Sequence, residues 1–536
     1  MFEQSLNPTG HLWLTILAAL TPLVALILML AVFRITAWLA STLAGMLTIA
    51  VGIVVWHAPL ANTLKSYLFG GLTGIWSIDW ITFWALIIFN TLVLTGSFGR
   101  FRDWMVHHAT ADIRIQTIML AWAFGALLEG LVGFGYPWAV VVPILVGLGI
   151  ADLEAIRVAA LANNAPVSYG ALGIPIIGLA AVTGLPLMAL SRSIGNVVAI
   201  LALLPPWVLI YLVSGWEGVA EAWPLAIVGS LSYIAGQWPV AHYLGPYLPD
   251  ISGSLVSFWL LFLFVKVWRP KTIRGFGGVP LAPAAAISNG SEPVSGREAF
   301  SAWMPYIVLI LVVVAWTGPW SHLPAISWFK LSVATKSSVT GKTLASTFNF
   351  APLIGGTSIL ASWLVIVTIL RPGAQILKQV FIKTFKQMWG ALLVAFFIFA
   401  LAYIFVYTGM ANSLAYGFSK MGVFFVVVAP ILGWIGVALS GSNTSTNAMF
   451  GPVQMVTGRL LNLPVLLLPS LNSVGAEVGK PIAPQTASVG VSTSKLVRSE
   501  GQVIRHNMGW TLIVLAYLIL IAVVIYHFFP NWMSLE

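Results

Sequence analysis

GALLEGLVGFGYP (residues 125–137) and SGSNTSTNAMFG (residues 440–451) are the two stretches that decide how this sequence folds. Each interrupts a long apolar run with glycines and polar side chains. Backbone inside a bilayer must satisfy its own N–H and C=O groups, so such breaks survive only where they are buried in protein or line an aqueous cavity. Further breaks follow at Asn163–Gly170 and Gly173–Pro175, and again at Asn472–Gln485. Paired interruptions in corresponding positions of two halves are the sequence mark of a transporter site near the midplane. Small residues also allow close helix packing, which accounts for single glycines such as Gly178. The six consecutive polar residues from Ser442 to Asn447 offer more donors than packing needs.

The rest of the chain agrees with a membrane setting. Of 536 residues, 59% are hydrophobic and only 7% charged, with no cysteine and a net charge of +10. A soluble domain carries roughly 25% charged residues, so a soluble enzyme is excluded, and the lack of cysteine excludes a disulfide scaffold. The basic excess lies in short loops between apolar runs, not on one face, so nucleic acid is not a partner; the lipid bilayer is. A span needs about 20 apolar residues, and the hydropathy pattern predicts an all-α polytopic membrane protein with 12 to 14 transmembrane helices.

Basic residues favour cytoplasmic loops. The clusters at Arg34, Arg100/Arg102/Arg114, Lys266–Arg274, Arg371–Lys386 and Lys495–Arg505 place both termini outside a plasma (inner) membrane. On that assignment Lys330, Lys336 and Lys342 fall in a long external loop. Residues 1–274 form an N-terminal half and 300–536 a C-terminal half, joined by a flexible cytoplasmic linker over 275–299. The first broken segment is entered from the basic loop at Arg100–Arg114, the second from the opposite side after Val423. This predicts two inverted-topology repeats with broken or re-entrant helices at the midplane. No Gly-x-x-x-x-Gly-Lys-Ser/Thr motif is present, so ATP is not the energy source.

In these segments the chain resembles the L-lactate permease family of bacterial and archaeal carboxylate transporters. The matching blocks are GALLEGLVGFGYP (125–137), NNAPVSYGALGIPI (163–176), LPDISGSLVS (248–257), SGSNTSTNAMFG (440–451) and GKPIAPQ (479–485). The resemblance covers nearly the whole chain. It implies proton-coupled uptake of lactate and other short 2-hydroxymonocarboxylates such as glycolate and D-lactate, with no cofactor beyond the coupling proton. Three positions depart from the family pattern. Asn443 stands where Asp is usual, Tyr136 where Ala is usual, and Glu477 in a stretch otherwise free of acids.

A carboxylate leaving water needs donors or a cation. Half-helix N-termini offer unpaired N–H groups and partial positive charge. Ser442, Asn443, Thr444, Ser445 and Asn447 are candidate substrate ligands from the second half, and Asn163, Asn164 and Ser168 from the first. The matched blocks add Tyr136 and Gln485. Lys480 is an intramembrane cation and so a candidate for the substrate carboxylate. It can equally form a structural ion pair with Glu477, three residues earlier on a helix face. Glu129 and Glu477 are the proton-coupling candidates, because burial favours the neutral form of a lone acid. Glu129 can alternatively be a fixed carboxylate held by backbone N–H groups at the glycine-rich break.

Asp250 reads as an N-cap and Asp79 as interfacial, beside Trp76 and Trp80. His107 and His108 read as surface residues, and no histidines show metal-ligand spacing. The competing readings are a Na⁺-coupled carboxylate transporter and a membrane-embedded enzyme. The latter would need an acidic, His/Cys or Ser/His/Asp constellation that the broken segments lack.

Overall fold

A computed structural model describes residues 1–107, 110–133, 135–281, 296–496 and 498–535. Among them, eight helical stretches are long and apolar enough to cross a membrane. They are Leu12–Ala31, Ala37–Val54, Leu60–Leu94, Leu187–Tyr243, Pro249–Val267, Ala374–Thr408, Gly422–Ser440 and Glu500–Phe528. A ninth is a pair bent by 69°, Asp152–Ala162 with Val167–Thr183. These are fewer than the 12 to 14 spans expected from hydropathy; shorter apolar helices lie at Tyr136–Gly147, Trp303–Thr317 and Gly355–Leu370, and the stretch Leu187–Tyr243 is itself broken. That stretch is interrupted after Leu201 and again at Gly215, where φ is +67°.

Helices dominate because each closes its own backbone hydrogen bonds. Their few hydroxyls do the same, bonding back one turn: Ser41 to Ala37 O, Thr48 to Ala44 O and Thr91 to Ile87 O. Small residues let backbones meet. A Cβ at Gly70 would lie 2.4 Å from Phe399 O, and one at Gly74 would lie 2.5 Å from Ala395 O. The long helix Leu60–Leu94 of the first half is therefore seated directly on Ala374–Thr408 of the second. The two halves interlock; they are not separate bodies.

Outside the spans the chain is not wholly helical. The loop carrying Lys330, Lys336 and Lys342 forms a β-hairpin, Phe329–Lys336 antiparallel to Thr343–Phe350. The N-terminal strand Phe2–Glu3 adds to it in parallel, and Lys336 pairs with Glu3 at 2.8 Å. Elsewhere, basic residues read as a topology signal are in part neutralised locally. Arg114 is fully buried, 2.7 Å from Asp112 and 2.9 Å from Glu221, and Arg274 reaches Glu221 at 2.7 Å. The start of the expected linker is anchored by the same cluster, since the Arg274 N–H donates to Asp112. The remainder of that linker over 282–295, and the side chains of His107 and His108, lie outside the described residues.

Candidate functional site

Both broken segments end at one cavity of about 510 Å³. In the first, the helix Phe124–Leu131 stops, Gly133 and Gly135 take φ of +65° and +80°, and a new helix starts at Tyr136 with Pro137 in its first turn. Further on, Ala171, Leu172 and Gly173 are all left-handed, with φ of +46°, +60° and +78°. For a non-glycine residue this conformation costs about 1–2 kcal/mol, and such strain persists only where surrounding structure imposes it. A Cβ on Gly173 would sit 2.3 Å from Pro246 O, so the turn admits no side chain there.

In the second segment, Gly422–Ser440 ends at Gly441, φ +73°, and Asn443–Leu460 begins. Ser442 is its N-cap, accepting from the Ser445 N–H at 3.2 Å, the bonding expected of such a residue. A second break turns Leu467–Gly479 through a 3₁₀ turn at Lys480–Ile482 into Pro484–Ser492.

The cavity wall therefore collects the N-terminal ends of three helices, at Gly135, at Ser442–Ser445 and at Gln485–Thr486. Three charged side chains join them: Asp79, Glu129 and Lys480. Lys480 Nζ donates to Glu129 Oε1 at 2.7 Å, and both side chains are almost completely buried. Glu129 Oε2 accepts from Asn163 Nδ2 at 3.0 Å. Gly170 makes room for this carboxylate, since a Cβ there would lie 2.5 Å from Glu129 Oε1. Among the described residues, Lys480 Nζ makes this one hydrogen bond, leaving two of its three donors for a bound anion.

The pairing of Lys480 corrects the local expectation. Its partner is Glu129, 351 residues away, not Glu477. The helix ends at Gly479 and the 3₁₀ turn redirects Lys480, so i,i+3 geometry no longer applies. Among the described residues, no backbone N–H donates to Glu129; its partners are the Asn163 amide and Lys480. Glu477 is fully buried behind the wall, where Oε1 accepts from the Ser168 N–H at 2.5 Å and Oε2 has no partner.

The other expected ligands divide in two. Ser442, Asn443, Thr444, Ser445 and Gln485 line the cavity with Glu129 and Lys480. Tyr136, Asn163, Asn164, Ser168 and Asn447 do not; several of them brace the wall from behind. Asn447 Nδ2 donates to Pro175 O and to Ser473 Oγ, both at 3.1 Å, tying the second segment to the first. Ser168 Oγ meets Ser473 Oγ at 2.9 Å, and Tyr136 OH accepts from Gln387. Asn164 is buried with neither side-chain atom paired.

Asp250 is not an N-cap. It lies inside the first turn of Pro249–Val267, 1% exposed, and accepts from Tyr233 OH at 2.9 Å. Sequence reasoning missed Asp79, Thr82, Ser440 and Thr486 at the wall. For Asp79 the signal was present, because it is the sole acid between Leu60 and Leu94.

The model of a family described as L-lactate permease matches residues 15–529. The chain belongs to this family. Similar relatives include the glycolate permease GlcA of Escherichia coli, 33% identical with 96% of each chain covered. The L-lactate permease of Bacillus subtilis is 30% identical with 99% of each covered. A solved structure, the Alcanivorax borkumensis YdaH transporter, aligns with a TM-score of 0.49 at 16% identity, over 92% of this chain and 99% of that one. As a permease-family chain with many apolar helices, this is a multi-pass membrane protein.

Proposed function

We propose that this chain is a secondary carrier that takes up L-lactate, glycolate and related short 2-hydroxymonocarboxylates with a proton, across the plasma membrane. Lys480 carries the reading. It is a buried cation with unused donors, at a wall where three helix N-termini converge, and this combination suits an anion. In a bound complex the carboxylate takes Lys480 and the helix ends. The 2-hydroxyl meets side chains such as Ser442, Asn443 and Thr444. The names of the relatives, lactate and glycolate permeases, support the substrate class and a carrier over an enzyme. Alternating access then consists of the two oppositely entered broken segments opening the cavity to one side at a time.

Proteoliposome uptake of labelled lactate under an imposed pH gradient tests this. Competition by glycolate, collapse by a protonophore and indifference to Na⁺ are expected. Uptake driven by Na⁺ overturns the coupling, and no competition by any hydroxy acid overturns the substrate. Counterflow of labelled lactate separates a carrier from a channel or an enzyme.

A further inference from the structure

Asp79 is the one charged group of the cavity wall that the reading above leaves without a role. By hydropathy the apolar run begins at Trp80, which makes Asp79 look interfacial. In the structure, helix begins at Leu60 and continues to Leu94, so Asp79 lies mid-span. It closes a π-helical segment, Gly74–Asp79, and such segments recur at functional sites.

Asp79 is 4% exposed, and its Oδ2 is buried with no partner. Among the described residues no hydrogen bond or ion pair to its side chain is found, and nearby donors are committed elsewhere. Trp76 Nε1 donates to Ala351 O, Trp80 Nε1 to Thr357 Oγ1, and Thr82 Oγ1 to Ile78 O. The elements packed on this segment are Leu60–Thr73, Trp80–Leu94, Gly170–Thr183 and Ala374–Thr408. None of them brings another charged group to the cavity wall, where the remaining ionisable side chains are Glu129 and Lys480, already paired with each other.

A buried carboxylate without donors or a counter-charge is costly in its ionised form. The substrate is itself an anion, and its arrival in the same cavity raises that cost further. Glu129 is already compensated by Lys480 and Asn163, so its carboxylate does not carry this cost. Glu477 lies behind the wall. Asp79 alone faces the cavity with nothing to lose on protonation.

We propose that Asp79 is the proton-binding group of the transport cycle. Its carboxylate takes a proton from the aqueous cavity as the substrate anion enters, and returns it to the opposite side after the substrate leaves. One anion and one proton leave the net charge of the cavity unchanged. This rests on the proton-coupled reading above and names the group within it.

The test uses the purified full-length protein in weakly buffered detergent with a pH indicator, mixed with lactate. Over a series of pH values, wild type is expected to absorb up to about one proton per lactate bound. The maximum should lie between the pH values at which Asp79 titrates in the free and the bound protein, and affinity should rise by up to about tenfold per pH unit of acidification in that window. Asp79→Asn is expected to absorb none and to bind lactate without that pH dependence. In proteoliposomes its gradient-driven accumulation should fall by more than about tenfold relative to its own counterflow rate.

Proton uptake by Asp79→Asn equal to wild type overturns the assignment alone. A wild type that binds lactate without proton uptake at every pH of the series overturns the proton-coupled reading with it. If Asp79→Asn does not assemble, Asp79→Glu decides: it should keep one proton per lactate while shifting the pH of half-maximal uptake, and an unshifted profile overturns the proposal.

Discussion

The two broken segments meet at one cavity but are made of different materials. The first, from Phe124 to Thr183, interrupts its helices with left-handed backbone and delivers a carboxylate, Glu129, through space that Gly170 leaves open. The second, from Gly422 to Ser492, interrupts its helices with a side-chain cap at Ser442 and delivers a cation, Lys480. Both need glycines where no Cβ fits, but the first turns on a run of left-handed residues at Ala171–Gly173, whereas the second adds a side-chain cap and an ammonium to the left-handed glycine at its break, Gly441. The Glu129–Lys480 pair is the joint between them, so each half of the chain leaves a buried charge unpaired without the other.

The largest expected effect comes from breaking that joint. Lys480→Met should destabilise the protein by about 3–5 kcal/mol, the cost of leaving one buried partner alone, and reduce lactate uptake to background. Adding Glu129→Gln should restore much of the melting temperature but not uptake. Recovery of both would make Lys480 a structural counter-ion and remove it from the binding site.

Gly170→Ala probes the first segment alone. The new Cβ would press on Glu129 Oε1, an overpacking cost of about 1–3 kcal/mol. The half-saturation constant for lactate should rise, because the carboxylate that positions Lys480 is displaced. An unchanged constant with a lowered melting temperature would show that the joint tolerates movement.

Glu477→Gln should do least. The amide oxygen still accepts the Ser168 N–H, so stability should move by no more than about 1 kcal/mol, and gradient-driven uptake should persist. Loss of that uptake with counterflow intact would move the coupling group into the second segment and away from Asp79.

The contrast between the segments also explains which parts of the site could be read in advance. Glycines and a run of hydroxyl and amide residues inside apolar stretches announce themselves, because hydrocarbon offers them nothing. Ser442, Asn443, Thr444, Ser445, Glu129, Lys480 and Gln485 are legible on that basis and line the cavity. Asn163, Ser168 and Asn447 have the same signature yet face backwards, their side chains bracing Glu129, Ser473 and Pro175. A polar residue near a break has to be satisfied, but its type does not say whether a ligand or a neighbouring backbone will do it. Asp79 was visible as a lone acid but was misplaced for a different reason. Weak hydropathy from Lys65 to Ile78 obscured a helix that close packing on Ala374–Thr408 sustains.

Composition and hydropathy by themselves determined the membrane setting, the mainly helical architecture, the positions of the breaks and the short list of intramembrane charges. These follow from local physics, since every residue must meet either lipid or a partner. Tertiary structure alone decided who those partners are. It joined Lys480 to Glu129 across 351 residues instead of to Glu477 three residues away, and brought Asp79 from an apparent interface to the wall of the same cavity. Sequence separation limits pairing only along a continuous helix. Once the helix breaks at Gly479, long-range packing determines which charge is near which.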